Sequence, residues 1–361
     1  MHGSSPSKVW KQVQKYYIFV KIKYHISCPS KEFFILDCLA RSLIIVPQSP
    51  TVSPLRPSLR GLLCALMTLL LAGCAGTAAR PGQVAVPSAN QDSRVAVIVI
   101  HHTSEDFGGS LKILTEPSSR PVSSHYLVPE PLDPSYPNKK LKVYSLVDED
   151  QRAWHAGASY WQGITKLNNV SVGIEIVNQT YCHKAEDAPP PVGQDWPDES
   201  ICFYPDYPES QIALVIELLQ DILQRHPEVK PTHIVGHADI APQRKIDPGP
   251  RFPWQRLYKL GIGAWYDDAT VGRYWERFRL QMPNTLQLQS ALHTYGYDIE
   301  LSGEADLQTR NVLRAFQAHF IPWQVTGEAS PETAAVLFAL IEKYYRDELE
   351  ALLTPALAAA G

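Results

Sequence analysis

Arg94-Val-Ala-Val-Ile-Val-Ile-His-His102 is the stretch on which the fold turns. Residues 95–100 form an unbroken apolar run rich in β-branched side chains, the pattern of a strand buried on both faces. Such a strand needs partners. Ser124-His-Tyr-Leu-Val128, Lys142-Val-Tyr-Ser-Leu-Val147, Val170-Ser-Val-Gly-Ile-Glu-Ile-Val177 and Thr232-His-Ile-Val-Gly236 supply them. Glu209–Arg225 reads as an amphipathic helix, with Ile212, Val215, Leu219 and Ile222 at three-to-four spacing, Pro208 at its start and Pro227 past its end. Strands mixed with helices give an α/β domain, set at residues 92–265. Tyr181 to Pro208 is a long Pro-rich connection within it, of the kind that is functional or stapled.

Downstream, Asn284–Tyr295, Ala305–Phe320 and Pro331–Tyr345 carry helical periodicity, the last two through Val312, Leu313 and Phe316 and through Val336, Leu340, Ile341 and Tyr344. They predict a small three-helix bundle over 280–347, followed by a tail over 348–361 that frays.

Upstream, the chain changes character. Over all 361 residues the formal net charge is −4, with 33 Lys+Arg and 37 Asp+Glu. Residues 1–73 hold nine of the basic residues and two of the acids, a net of +7, so the remainder stands at −11. The composition is that of a globular protein, 45% hydrophobic and 19% charged. That excludes wholesale disorder, a collagen, a disulfide-dense mini-protein and a polytopic membrane protein. An acidic body does not suit a phosphate backbone, so no nucleic-acid partner is expected.

Arg56-Pro-Ser-Leu-Arg60 precedes the apolar run Gly61–Leu71, and Ala72-Gly73-Cys74 follows. A basic segment, an apolar run of about a dozen residues and a small-residue end are the parts of a secretory leader. The run is short for a spanning helix. Leu71-Ala72-Gly73-Cys74 resembles a bacterial lipobox, which implies lipidation of Cys74 and anchorage to a membrane. Ala75, rather than Asp, implies sorting to the outer membrane. Residues 51–73 are then the leader and 74–91, small and nearly uncharged, a tether. Because leaders begin near an N-terminus, residues 1–50 are expected to be an extension from a misplaced start, with a non-AUG start such as Val46, Val52 or Leu55 giving an ordinary leader. With Cys28, Cys38 and Cys64 lost and Cys74 lipidated, Cys182 and Cys202 remain. In an oxidising compartment they are a candidate bridge, the alternative being two unpaired loop thiols.

The densest chemistry lies in Gly236-His-Ala-Asp-Ile-Ala-Pro-Gln-Arg-Lys-Ile-Asp-Pro-Gly-Pro250. A His directly after a strand, with an Asp ten residues on in a Pro-Gly loop, places two metal-ligand types on a sheet rim. His101 and His102 end the first strand, where sites commonly sit. Two His and one carboxylate with a position left open make a catalytic zinc arrangement.

Taken in order, Ile100-His101-His102-Thr103, Ser124-His125-Tyr126, Ala153-Trp-His-Ala-Gly157, Ser171-Val-Gly-Ile-Glu-Ile176 and 236–250 resemble the zinc N-acetylmuramoyl-L-alanine amidases. That family shares its fold with peptidoglycan recognition proteins. The resemblance spans about 95–260. It implies a mixed central β-sheet flanked by helices and hydrolysis of the amide between N-acetylmuramic acid and L-alanine in peptidoglycan or muropeptides. It implies zinc on His101, His237 and Asp247, Glu175 as the proton-transferring catalytic carboxylate and Lys245 as stabiliser of the tetrahedral oxyanion. His125, Trp154 and His155 become substrate-binding or supporting groups, His102 a supporting group beside the ligands, and Asp239 a loop-capping carboxylate. Gln243 departs from the Gly common at its position in the loop, which puts the loop backbone in question. Leu286-Gln-Leu-Gln-Ser-Ala-Leu292, Gly296-Tyr297, Gly303, Thr309 and Phe316-Gln317 resemble a peptidoglycan-binding bundle. Lipobox, amidase and wall-binding bundle in this order match the family's outer-membrane lipoprotein members. The expectation is a periplasmic monomer held to the outer membrane by lipid on Cys74. An acidic body on an acidic polymer would recognise it through the cleft rather than bulk charge. A non-catalytic receptor of the same fold would lack a ligand or the Glu, and all four residues are present. The lipobox argues against a cytosolic recycling amidase. A zinc peptidase acting within the stem peptide would not carry this order of motifs.

Overall fold

The computed structural model describes Val84, Val86, residues 88–184 and residues 200–354. The leader, Cys74, most of the tether and the last residues of the tail lie outside these. The chain divides into two units, Met1–Pro87 and Ser88–Gly361, and every described helix and strand belongs to the second.

In chain order the elements are β1 (Val97–His102), α1 (Phe107–Thr115), β2 (Tyr126–Val128), β3 (Tyr144–Ser145), β4 (Tyr160–Trp161), β5 (Ile164–Thr165), β6 (Ser171–Ile176), β7 (Tyr181–Lys184) and β8 (Ser200–Phe203). Then come α2 (Glu209–Arg225), β9 (Ile234–Gly236), α3 (His237–Ile240), α4 (Trp254–Lys259), α5 (Asp268–Phe278), α6 (Thr285–Tyr295), α7 (Leu307–Phe320), α8 (Pro331–Tyr344) and α9 (Leu349–Leu353). The main sheet has the order β3-β2-β6-β1-β9, with β2, β6, β1 and β9 parallel and β3 antiparallel at the edge. It is the mixed sheet flanked by helices that the motifs imply.

Every residue of β1 is buried, as its apolar run requires. The strand starts two residues later than the run and takes in both histidines, because pairing with β6 continues through His101↔Glu175 and His102↔Ile176. α2 keeps the bounds read from its periodicity and lays Ile212, Val215, Leu219 and Ile222 into the core. The segment at 142–147 shrinks to a two-residue strand, since only Tyr144 and Ser145 find ladder partners on β2.

The three C-terminal helices lie where the periodicity puts them, as α6, α7 and α8. α5, which packs along α8, was not anticipated. One apolar core runs without a break from the sheet (Ile98, Ile100, Ile174) through Trp161, Leu257 and Trp265 to Tyr295, Tyr297, Phe316 and Phe338 of the helical region. Residues 349–353 of the expected tail form the short helix α9.

Candidate metal centre and active site

The parallel register builds the site. His101 and Glu175 are paired residues on adjacent strands, so their side chains leave the same face at the carboxyl end of the sheet. Ile100 pairs with Gly236 of β9, so His237, the next residue, emerges beside His101. The loop after α3 returns Asp247 to the same point, held by Ala238 N–H donating to the Asp247 carbonyl at 2.8 Å. A side chain at Gly236 would come within 2.6 Å of Pro248 Cδ, so glycine is what lets the loop close this tightly.

The three ligand types converge. His101 Nδ1 lies 2.9 Å from His237 Nδ1 and 3.0 Å from Asp247 Oδ2, and His237 Nδ1 lies 3.1 Å from the same oxygen. Among the described residues, this group has its ligand atoms all within 4.8 Å of one another, and all three residues are buried. Tetrahedral zinc with ligands at about 2.0–2.1 Å spaces them by roughly 3.3 Å, so the triangle fits one face of such a tetrahedron. The charges fit as well. Burial pushes His237 down to about 4, which keeps its imidazole neutral, and Asp247 raises it only in part. Burial would raise Asp247, but the adjacent His237 and His101 outweigh it and hold the carboxyl well below its usual range. Two neutral imidazoles and a carboxylate are a donor set for a divalent cation.

Each ligand ring is also held from behind, as metal-binding histidines usually are. His101 Nε2 meets His155 Nδ1 at 2.9 Å, and His155 Nε2 meets Ser171 Oγ at 3.1 Å. The His155 ring lies over Gly173, where a Cβ would stand 2.5 Å from it. His237 Nε2 lies 3.3 Å from the Ala156 carbonyl. Arg244 reaches the carbonyls of Ala156 and Ala158, tying the loop that carries His155 to the loop that carries His237. Asn168 Oδ1 accepts from the backbone N–H groups of His155 and Ala156 at 3.1 and 2.8 Å. Asn168 and Arg244 escaped the sequence reading, because they act through backbone carbonyls or amides and no spacing advertises that.

Glu175 faces the triangle, with Oε1 4.0 Å from His101 Nδ1. Burial pushes its carboxyl up to about 7, with His101 and Lys245 opposing and Asp247 assisting. A cavity of about 370 Å³ opens over these groups, lined by His101, Trp154, His155, Glu175, His237 and Lys245 among others. Trp154 stands half-exposed on its rim with Ile113 and Val122. His102 also borders the cavity but lies outside the triangle, with Nδ1 3.2 Å from Ser104 Oγ.

Of the two roles open to His125, substrate contact or support, its burial leaves support: the side chain is fully buried. Its Nδ1 accepts from Gly173 N–H at 2.9 Å, and its Nε2 lies 3.3 Å from both the Gln151 carbonyl and an Arg94 nitrogen. It is a strand-to-strand brace with no face toward the cleft. Cys182 and Cys202 are bridged, facing each other across the antiparallel β7–β8 pair.

Residues 91–250 match the family described as N-acetylmuramoyl-L-alanine amidase, and residues 281–337 match a peptidoglycan binding domain family. The N-acetylmuramoyl-L-alanine amidase AmiD of Escherichia coli is 41% identical over 292 residues, which is 77% of this chain and 96% of that protein. The crystal structure of AmpDh3 from Pseudomonas aeruginosa in complex with anhydromuramic pentapeptide superposes with a TM-score of 0.65 at 42% identity, covering 74% of this chain and 99% of that one. AmiD from E. coli, in complex with the substrate anhydro-N-acetylmuramic acid-L-Ala-D-gamma-Glu-L-Lys, superposes with a TM-score of 0.60 at 40% identity, covering 73% and 96%. With likeness of this degree sustained along almost the whole of those enzymes, the chain belongs to the N-acetylmuramoyl-L-alanine amidase family.

Proposed function

We propose that this amidase acts as a zinc enzyme on peptidoglycan and its muropeptide fragments, cutting between the lactyl carbonyl of N-acetylmuramic acid and the amino group of L-alanine. The observation that carries this reading is the ligand triangle of His101, His237 and Asp247 set opposite Glu175 by the pairing of β1 with β6. The muropeptide complexes of the two related enzymes support the substrate class.

When bound by those three side chains, zinc would acidify a water and polarise the scissile carbonyl. Glu175, mostly buried opposite the triangle, takes a proton from the attacking water and delivers it to the departing amine. The carbon–nitrogen bond breaks, leaving a lactyl carboxylate and a free L-alanine amine. The Lys245 ammonium at the cavity wall offsets the charge that develops on the carbonyl oxygen. Trp154 offers its exposed ring at the rim to the sugar or stem, while His155 works from behind by fixing the His101 ring. The helical region would keep the enzyme on the polymer by raising local concentration. The lipobox at Leu71–Cys74 supports export and a lipid anchor on Cys74 at the outer membrane, with the working protein a monomer beginning there.

The test is digestion of purified cell wall and of anhydro-muropeptides, with and without a chelator, followed by mass analysis. Release of intact stem peptides, abolished by the chelator and restored by zinc, is expected. Products cleaved between stem residues would overturn the reading.

A further inference from the structure

The loop that carries His237 and Asp247 is gripped from outside the α/β domain. Asp239, two residues after His237, is buried and uses both carboxylate oxygens. Oδ2 accepts from its own loop, the Gly236 N–H at 2.7 Å, in the manner of an N-terminal helix cap. Its other partners come from the C-terminal helical region, one from the connection after α6 and one from α7. Tyr297 OH donates to Oδ1 at 2.7 Å, and His319 Nδ1 lies 2.8 Å from Oδ2. Both partners are buried and locked in place. The Tyr297 ring meets Trp161 edge-on at 5.0 Å, and the His319 ring stacks on Trp254 at 3.9 Å.

A second grip lies four residues on. Gln243, the departure from the usual Gly, turns its amide into α7. Its Nε2 donates to the Gln308 carbonyl at 3.2 Å, and its Oε1 accepts from Asn311 Nδ2 at 2.9 Å. A glycine there would offer no amide to either partner. The loop of eleven residues from His237 to Asp247 is therefore fixed at two interior points by side chains of Tyr297, Asn311 and His319.

We propose that the C-terminal helices are part of the catalytic unit: by holding Asp239 and Gln243, they keep His237 and Asp247 in ligand geometry, in addition to any hold on the polymer. This rests on the reading of the His101–His237–Asp247 triangle as the zinc site. Asp239, Tyr297 and His319 are positioning residues, acting on the metal ligands as outer partners do elsewhere. A bundle that served as a polymer tether alone would leave zinc affinity and turnover of small soluble substrates untouched.

The test compares the full chain with Tyr297→Phe, His319→Phe and the double variant, and with His319→Asn, whose amide N–H can stand in for Nδ1–H. Zinc affinity is measured by competition with a chromophoric chelator, and kcat and KM on a soluble anhydro-muropeptide. Folding is checked by circular dichroism. The expected result is zinc affinity weakened about ten-fold in each Phe variant. It should be accompanied by a fall in kcat at unchanged KM, and by recovery of most of the loss in His319→Asn. Tyr297→Phe removes a single oxygen, so it decides the matter if the double variant fails to fold. Zinc affinity and kcat within two-fold of the parent in a folded Tyr297→Phe overturn the proposal. A parent chain that binds zinc but cuts no muropeptide overturns the proposed activity while the affinity comparison still decides this inference. A parent that binds no zinc overturns both.

Discussion

Glu175 owes its position to a ladder pair. It lies beside His101 because β6 runs parallel to β1 in a register that leaves no freedom to slip without turning the apolar residues Ile174 and Ile176 to the wrong face. It contributes no ligand atom to the triangle, so its removal should separate metal binding from turnover. Glu175→Ala is expected to retain one zinc per chain while kcat falls by about 10²–10⁴-fold, the usual worth of a positioned general base. Metal analysis beside a muropeptide cleavage assay checks this, and near-normal turnover by metal-replete variant protein would remove Glu175 from the mechanism. The two histidine ligands and this carboxylate were legible because each follows or interrupts an apolar strand run, and Asp247 because it stands ten residues after His237 in a Pro-Gly loop. The histidines behind them were not separable in the same way. His125 and His155 both sit in short motifs near strands, yet one braces the sheet and the other backs His101. The difference comes from the bare face of Gly173, over which the His155 ring fits, a three-dimensional fact with no period in the sequence.

At the scale of elements, the C-terminus of α2 is tied to the turn after β3 through one carboxylate. Glu149 accepts from Tyr126 OH at 2.7 Å and from Arg225 at 2.7 and 3.2 Å, and its Oε2 lies 2.8 Å from His226 Nε2. Burial would raise its carboxyl, but these partners outweigh burial and pull it down to about 2 from an ordinary 4.5. A carboxyl whose folded pKa is depressed stabilises the fold fully above its unfolded pKa and loses that contribution as pH falls through the folded one. Stability should therefore drop as pH falls from about 4.5 toward 2. Glu149→Gln should lower the melting temperature at neutral pH and flatten this acid limb. Thermal melts across the acid range decide it, and an identical limb in the variant would show that other groups carry it. The same scale shows why some elements were read and others missed. α2 announces itself by a full apolar stripe between two prolines. α5 buries only Tyr274 and Phe278 of its eleven residues, and α1 carries Gly108-Gly109 in its first turn, so neither announces itself as a helix. The hairpin strands β4 and β5 are two residues each, shorter than any alternation can reveal.

For the whole molecule, composition and periodicity suggested two bodies joined by a connection, and the strongly patterned helices and strands of each were legible. How the bodies meet was not, because the joining residues look locally like ordinary core. Trp161 belongs to the α/β domain by sequence, yet its ring lies edge-on to Tyr295 and Tyr297 while its Nε1 donates to the Thr232 carbonyl at 2.9 Å. Gln162 donates from its backbone N–H to the Gly296 carbonyl at 2.9 Å and lies 2.9 Å from His233 Nε2. Tyr344 OH lies 3.2 Å from both the amide and the carbonyl of Trp265. Separating the bodies would bare Trp161, Trp254 and Trp265 together with Tyr295, Tyr297 and Phe320, all now buried. Exposing a continuous aromatic face of that kind costs far more than a domain linker saves. Urea unfolding of the metal-free protein should therefore give one transition, coincident by tryptophan fluorescence and by far-ultraviolet circular dichroism. A chain ending after Tyr266 should be poorly soluble rather than a free-standing α/β domain. Two resolved transitions, or a soluble truncated chain with a sharp melt of its own, would show that the shared core does not couple the two regions, and the helices would then be an appendage in energy as well as in sequence.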